Sequence, residues 1–150
     1  MSESSETPKQ ISLFGYSLIR DVLVPELLGT HTNEILYWAG KNLARKYAVQ
    51  NEEELIHFFK KADWGNLQLV KQRKEEIILE LTGPFLEERM KMNQAEYFTL
   101  EAGFLAEQYA MLKQYQTEAI YEPQKRKATV QFVIKWDSRD PYELPSRKVK

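Results

Sequence analysis

Apolar positions recur along this chain with two periods, three to four residues over most of its length and two residues in short stretches. These are the spacings of helices and of half-buried strands. In "ISLFGYSLIRDVL" the residues Leu13, Tyr16, Leu18, Ile19 and Leu23 keep helical spacing despite Gly15, and Pro25 and Gly29 then redirect the chain, which predicts two short helices. A further helix is predicted from about Thr32 to Tyr47. Asn51 with Glu54 three residues on has capping-box spacing, and Leu55, Phe58, Phe59 and Ala62 follow on one stripe. "DWGN" reads as a turn. After it, Leu67 with Leu69 and Ile77 with Leu79 and Leu81 alternate with polar neighbours as a hairpin. Pro84 opens a short helix, "TLEAGFLAEQYAMLKQY" is a long one, and "TEAIYE" and "ATVQFVIKW" flank the turn "PQKRK" as a second hairpin. Val130, Phe132, Ile134 and Trp136 share one side of its last strand.

The order αααββααββ predicts an α+β fold: N-terminal helices plus a four-stranded antiparallel sheet, with the helices packed on one face. Residues 1–10 are polar with no periodicity and 138–150 hold two prolines among charges, so 11–137 is expected as a single domain between a disordered and a flexible tail.

Helical wheels sharpen this. Between Thr32 and Tyr47, Ile35, Leu36, Ala39, Leu43 and Tyr47 form a core stripe with Gly40 and Ala44 at its margin. Trp38, Lys41 and Arg45 lie opposite, which makes Trp38 a candidate partner contact or a platform for a cation from Lys41 or Arg45. The segment Leu100–Tyr115 is apolar nearly all round and is expected to be a central rod. Glu107 on it needs a partner, either an ion pair with Lys41 or Arg45 or a ligand. Trp64, Phe104 and Tyr109 are the candidate walls of an apolar cavity.

Bulk composition narrows the classes. At 150 residues, 43% hydrophobic and 29% charged, the chain matches one globular domain. No apolar run is long enough to span a bilayer, and "MSESSETPKQ" has no secretion-signal pattern, so a cytoplasmic protein is expected. With no cysteine there are no disulfides, thiolate nucleophiles or cysteine metal sites, and this agrees with a reducing compartment. The net charge of -1 gives no general attraction to nucleic acid. Two basic turns, Lys71–Lys74 and Gln124–Lys127, would form a phosphate-binding patch only if the hairpins bring them together. His31 and His57 lack partners at metal-ligand spacing, and no phosphate loop, nucleophile elbow or zinc-peptidase helix occurs, so no metal, cofactor or catalytic residue is expected.

The blocks "YSLIRDVLVPELLG", "YWAGKNLARK", "DWGN", "LTGP", "LEAGFLAEQ" and "VIKWDSRDP", in that order over Leu13–Pro141, resemble the YslB-like family of low-GC Gram-positive bacteria. That family carries no assigned activity. More distantly the layout is similar to the vinyl-reductase-like domain and to the small subunits of the TRAPP transport particle. This likeness implies an apolar pocket between helices and sheet and dimerisation through helices. The cysteines some of those proteins use have no counterpart here, so neither zinc binding nor covalent palmitoylation carries over. The expected function is a non-enzymatic binding or adaptor module acting as a homodimer through the layer that holds Trp38 and the long helix. The alternatives are a sensor or carrier of an apolar small molecule, whose charged end would meet Lys41, Arg45 or Glu107, and an enzyme acting through Glu107.

Overall fold

The computed structural model describes residues 10–92 and 97–144; of the two expected tails, 1–9 and 145–150 lie outside the described residues. The N-terminal helical segment comprises α1 (Leu13–Ser17), a π-helical stretch (Leu18–Leu23) and α2 (Val24–Leu28). A 3-10 turn (Gly29–His31) leads into α3 (Thr32–Lys46), and α4 (Glu52–Lys61) follows. The hairpin β1 (Asn66–Arg73) and β2 (Glu76–Thr82) precedes α5 (Pro84–Lys91) and α6 (Thr99–Lys113). The hairpin β3 (Tyr115–Gln124) and β4 (Thr129–Pro141) closes the domain.

The four strands form one antiparallel sheet in the order β1-β2-β4-β3. On β2 and β4 its inner face is the one the alternation predicts, whereas on β1 Leu67 is buried and Leu69, beside a register shift, is exposed. Ile77, Leu79 and Leu81 of β2 and Val130, Phe132 and Ile134 of β4 are buried. Helix α6 lies on this face and α3 packs on α6, while α4 packs against β1. Ten consecutive residues of α6, from Glu101 to Ala110, are buried, so the expectation of a central rod holds. A helix wrapped on nearly all sides has no use for a polar stripe.

The face of α3 differs from the expected one. Gly40 and Ala44 are buried at the centre of its contact with α6, whereas Ile35 and Tyr47, placed in the core stripe, are exposed. The reason is the crossing. A Cβ on Gly40 would stand 2.2 Å from the Leu100 carbonyl oxygen, and one on Gly103 would stand 2.1 Å from that of Tyr37. The two backbones touch through paired glycines, and larger side chains are left to flank the contact. Gln108, fully buried, then ties down the end of α3: its Oε1 accepts from the Val49 N–H (3.1 Å) and its Nε2 donates to the Tyr47 carbonyl (2.8 Å).

Two local details follow from sequence chemistry. Asn51 caps α4 through its side chain (2.8 Å to the Glu54 N–H), and Glu54 returns a bond to the Gln50 N–H (2.9 Å). Asn51→Ala is expected to cost about 1 kcal/mol of unfolding free energy, read as a lower urea midpoint at unchanged m-value. On the exposed edge of the sheet, the Ala119 N–H of β3 donates to the Tyr37 hydroxyl (3.0 Å), so α3 satisfies part of an edge that would otherwise be open.

The C-terminal boundary also differs. β4 runs to Pro141, four residues past the expected domain end at 137, and the Tyr142 N–H donates to the Gln114 carbonyl (3.1 Å). The charges and proline of "DSRDP" read as a tail, but Ser138 is held by Glu75 from the opposite hairpin (2.8 Å to its N–H).

Candidate functional site

The N-terminal helical segment has its amphipathicity reversed. A helix on a soluble domain turns its apolar arc to the core. Here Ser17 and Asp21 are buried while Phe14, Leu18, Ile19, Val22, Leu23 and Leu27 face outward, with Ile19 61% and Leu27 73% exposed. Spacing alone assigned Leu18, Ile19 and Leu23 to a helix without showing which way they point. The π-helical stretch helps set this direction. Pro25 has no N–H to return to Asp21, and the widened turn ends just before it, with the Val24 N–H bonded to the Ile19 carbonyl.

What the segment turns inward is a charge network. Asp21 accepts two bonds from the Arg89 guanidinium of α5 (Nη2–Oδ1 2.8 Å, Nε–Oδ2 3.0 Å) and one from Ser17 (2.8 Å), with both charged side chains almost fully buried. The Arg89 guanidinium lies over the Tyr16 and Phe98 rings, 5.7 and 5.2 Å from their centroids. Beside it, Arg20 bonds the Tyr16 hydroxyl (3.0 Å) and the fully buried Glu101 carboxylate. Burial works to lower the Arg20 pKa, but Glu101 and Tyr16 outweigh it and the net shift is upward. None of these four charges was singled out in the sequence. The available signal was Ser17 and Asp21, four apart in an apolar helix, with Arg20 beside them.

The residues that were singled out separate into distinct places. Trp38 is 73% exposed on α3 and, with Glu34, Ile35 and Tyr37, lines a shallow hollow of about 570 Å³. It is not the cation platform: Lys41 sits over the Tyr37 ring instead (4.9 Å) and pairs with Glu118 of β3 (3.3 Å). The Tyr37 hydroxyl also donates to Glu118, and burial together with that bond raises its pKa. Arg45 and Glu107 do meet (2.7 Å), and Glu107 accepts a second bond from the Tyr142 hydroxyl (2.6 Å), whose pKa burial and this carboxylate push up to about 12. This is a tie between α3, α6 and the end of the chain.

Trp64, Phe104 and Tyr109 are buried, and the space beside Phe104 and Trp64 is filled by protein. Phe104 stacks on Phe58 (4.6 Å) and meets Trp64 edge-on (5.2 Å), and Phe59 closes on both rings. Tyr109 donates to Glu52 (2.8 Å), and burial followed by this bond raises its pKa. The long helix is covered by its own chain, so the outward surface belongs to α3 and the N-terminal segment and not to α6.

The two basic turns do not gather. The register pairs Glu76 with Lys135 and Leu81 with Val130, which sets the Arg73–Glu76 turn and the Gln124–Thr129 turn at opposite ends of the sheet. Among the described residues no cluster of His, Asp and Glu has the geometry to hold a metal ion, and no helix is long and apolar enough to cross a membrane.

Comparison with known proteins gives the family and the fold. Residues 13–135 match the model of a family described as a protein of unknown function, DUF2507. The chain is 39% identical over 132 residues to the uncharacterized protein YslB of Bacillus subtilis (strain 168), covering 88% of this chain and 89% of that protein. A vinyl-4-reductase family protein from Methanocaldococcus jannaschii superposes with a TM-score of 0.63 at 20% identity, over 87% of this chain and 85% of the other, and shares the fold. A trafficking protein particle complex subunit 3 from Naegleria fowleri, solved covalently bound to palmitic acid, gives a TM-score of 0.47 at 12% identity over 87% and 92% of the two chains.

Proposed function

This chain belongs to the DUF2507 family, and we propose that it is a non-enzymatic cytoplasmic binding module that works as a homodimer through the outward face of its N-terminal helical segment. The observation that carries this reading is the reversed amphipathicity of Leu13–Leu28. Ile11 and the six outward apolar residues of the segment are 37% to 74% exposed and present a broad apolar face. Large contiguous apolar patches are uncommon on monomers.

Two alternatives for the occupant fit less well. A helix that rests on an anionic membrane carries Lys and Arg on its polar face, yet Arg20 of this segment is turned inward onto Glu101. The outward residues of the arc are apolar apart from Glu26, which gives a charged partner a single carboxylate to recognise. A second copy matches the face, because a two-fold contact sets the same mainly apolar arc against itself. Ile35 and Trp38 on α3 extend the apolar surface of the helical layer and give it an aromatic anchor of the kind that concentrates binding energy.

Sedimentation tests this directly. The wild-type protein is expected as a dimer at micromolar concentration, and Leu23→Glu, which places a charge at the centre of the arc, is expected to give a monomer with an unchanged circular dichroism spectrum. Trp38→Ala is expected to weaken the dimer by roughly tenfold or more. A monomeric wild type, or a Leu23→Glu variant that stays dimeric, would overturn the reading. Native mass spectrometry of the fresh protein adds a check, since a retained small molecule in place of a dimer would favour the carrier alternative.

A further inference from the structure

The loop "DWGN" that leaves α4 is fixed by its backbone and its Trp, and one of its side chains is left over. Trp64 packs edge-on against Phe104, and Gly65 lies so close to β2 that a Cβ on it would stand 2.6 Å from the Thr82 carbonyl oxygen. Asp63 precedes them with φ 59°, a left-handed conformation that Asp tolerates better than most residues, and its N–H donates to the Lys60 carbonyl (3.0 Å). Its carboxylate makes no hydrogen bond or ion pair among the described residues. Lys60 shares a neighbouring hollow with Asp63 but does not pair with it. The same Asp63 lines a cavity of about 620 Å³, walled from the N-terminal segment, the end of α4 and the start of α5. Ile11, Leu13 and Ala62 are its apolar walls, Tyr16 and Phe85 its rings, and Gln10 adds a neutral amide, so Asp63 is the one charged group in its described lining. The volume is within the range of small-molecule sites.

We propose that this cavity binds an organic monocation, a protonated amine carried on an apolar or aromatic body. Charge decides between ligand classes. Beside Tyr16, Arg20 is cancelled by Glu101 and Arg89 by Asp21, so Asp63 sets the sign of the cavity. An anion would meet that carboxylate with no cation in the described lining to offset it. A neutral molecule would displace water from the carboxylate without bringing an opposite charge, whereas an ammonium group returns a charge-assisted hydrogen bond. The Tyr16 and Phe85 rings favour the same sign, since the face of an aromatic ring attracts a cation. The apolar walls cover the body of the molecule. One chain supplies every residue of the site, so binding does not depend on the dimer.

Phenethylamine, protonated at neutral pH, is the probe, and phenethyl alcohol and phenylacetate are its controls with a neutral and a negative end. Titration of the full chain, followed by amide shifts, should show saturable changes at Asp63 and Phe85 with the amine, at an affinity at least about tenfold above that of the alcohol, and none with phenylacetate. Asp63→Asn keeps a residue that accepts the left-handed turn and should bring the amine down to the affinity of the alcohol. Phe85→Leu removes a ring, keeps an apolar side chain and should weaken the amine by about threefold or more. Lys60→Gln should leave the amine bound at least as tightly, because it removes a like charge. Asp63 and Lys60 are both exposed, so these variants are expected to fold. Leu23→Glu should retain amine binding whatever becomes of the dimer, which separates this site from the dimer reading. Equal affinity for amine and alcohol, shifts that do not saturate, a preference for the amine that survives Asp63→Asn, or loss of binding in Leu23→Glu would overturn the proposal.

Discussion

Replacing Gly103 by Ala is expected to destabilise the domain by about 3 kcal/mol or more, among the largest effects of any single methyl group added to this chain. On helix propensity alone the change would stabilise, since Gly in a helix costs about 1 kcal/mol relative to Ala. The tertiary contact reverses the sign. The new Cβ would stand 2.1 Å from the Tyr37 carbonyl oxygen and 2.9 Å from its carbon, and these are backbone atoms of α3 that cannot swing aside. The helices must separate, which loosens the packing of Phe104 and the Gln108 bonds to the end of α3. Gly15→Ala is the control. Its Cβ meets only the Ser12 Oγ at 2.9 Å, a side-chain atom that can rotate away at the cost of the cap bond it accepts from the Gly15 N–H. Urea unfolding of the two variants should therefore move in clearly different amounts, and a stable Gly103→Ala would show that the crossing is looser than the glycine pair indicates.

Arg89→Met is expected to cost about 3–5 kcal/mol, because it leaves the Asp21 carboxylate buried with only Ser17 as a hydrogen-bond donor. In a domain of this size that corresponds to a fall in Tm of roughly 10 °C. The informative variant is the double replacement Asp21→Leu with Arg89→Met, which removes both charges and keeps the volume. It should recover most of the loss, since an apolar substitute for a whole buried ion pair is often neutral or stabilising. If the double variant is as unstable as Arg89→Met, the network is holding the N-terminal segment by its specific geometry and not by charge cancellation. The segment is otherwise attached with little apolar burial of its own, so its attachment should be unusually sensitive to this pair.

Much of the fold was legible because it rests on short-range regularities. The alternation through Val130, Phe132 and Ile134 identified the inner face of β4, and the Asn51–Glu54 spacing identified the start of α4. Gly40 and Gly103 were both visible as small residues at helix surfaces, but nothing in either helix says that they touch each other. Of the candidate site residues, Arg45 and Glu107 meet, one of the pairings the charge argument left open, and Trp38 is exposed on α3. Lys41 went to Glu118 on a strand, a partner 77 positions away. The apolar residues Trp64 and Phe104 were recognisable as buried, yet whether they enclosed a space or filled one depended on Phe58 and Phe59 arriving from α4.

By itself the sequence determined which residues share a face, since helical and strand periods are properties of the local backbone, and it determined that α6 must be surrounded, since no polar arc was left on it. Only the tertiary structure decided which face meets the body. The N-terminal segment turns Ser17 and Asp21 inward because Arg89, 68 residues beyond Asp21, supplies the matching charge there, and its apolar arc is left outside. That choice depends on an electrostatic pairing between distant parts of the chain, which periodicity does not encode.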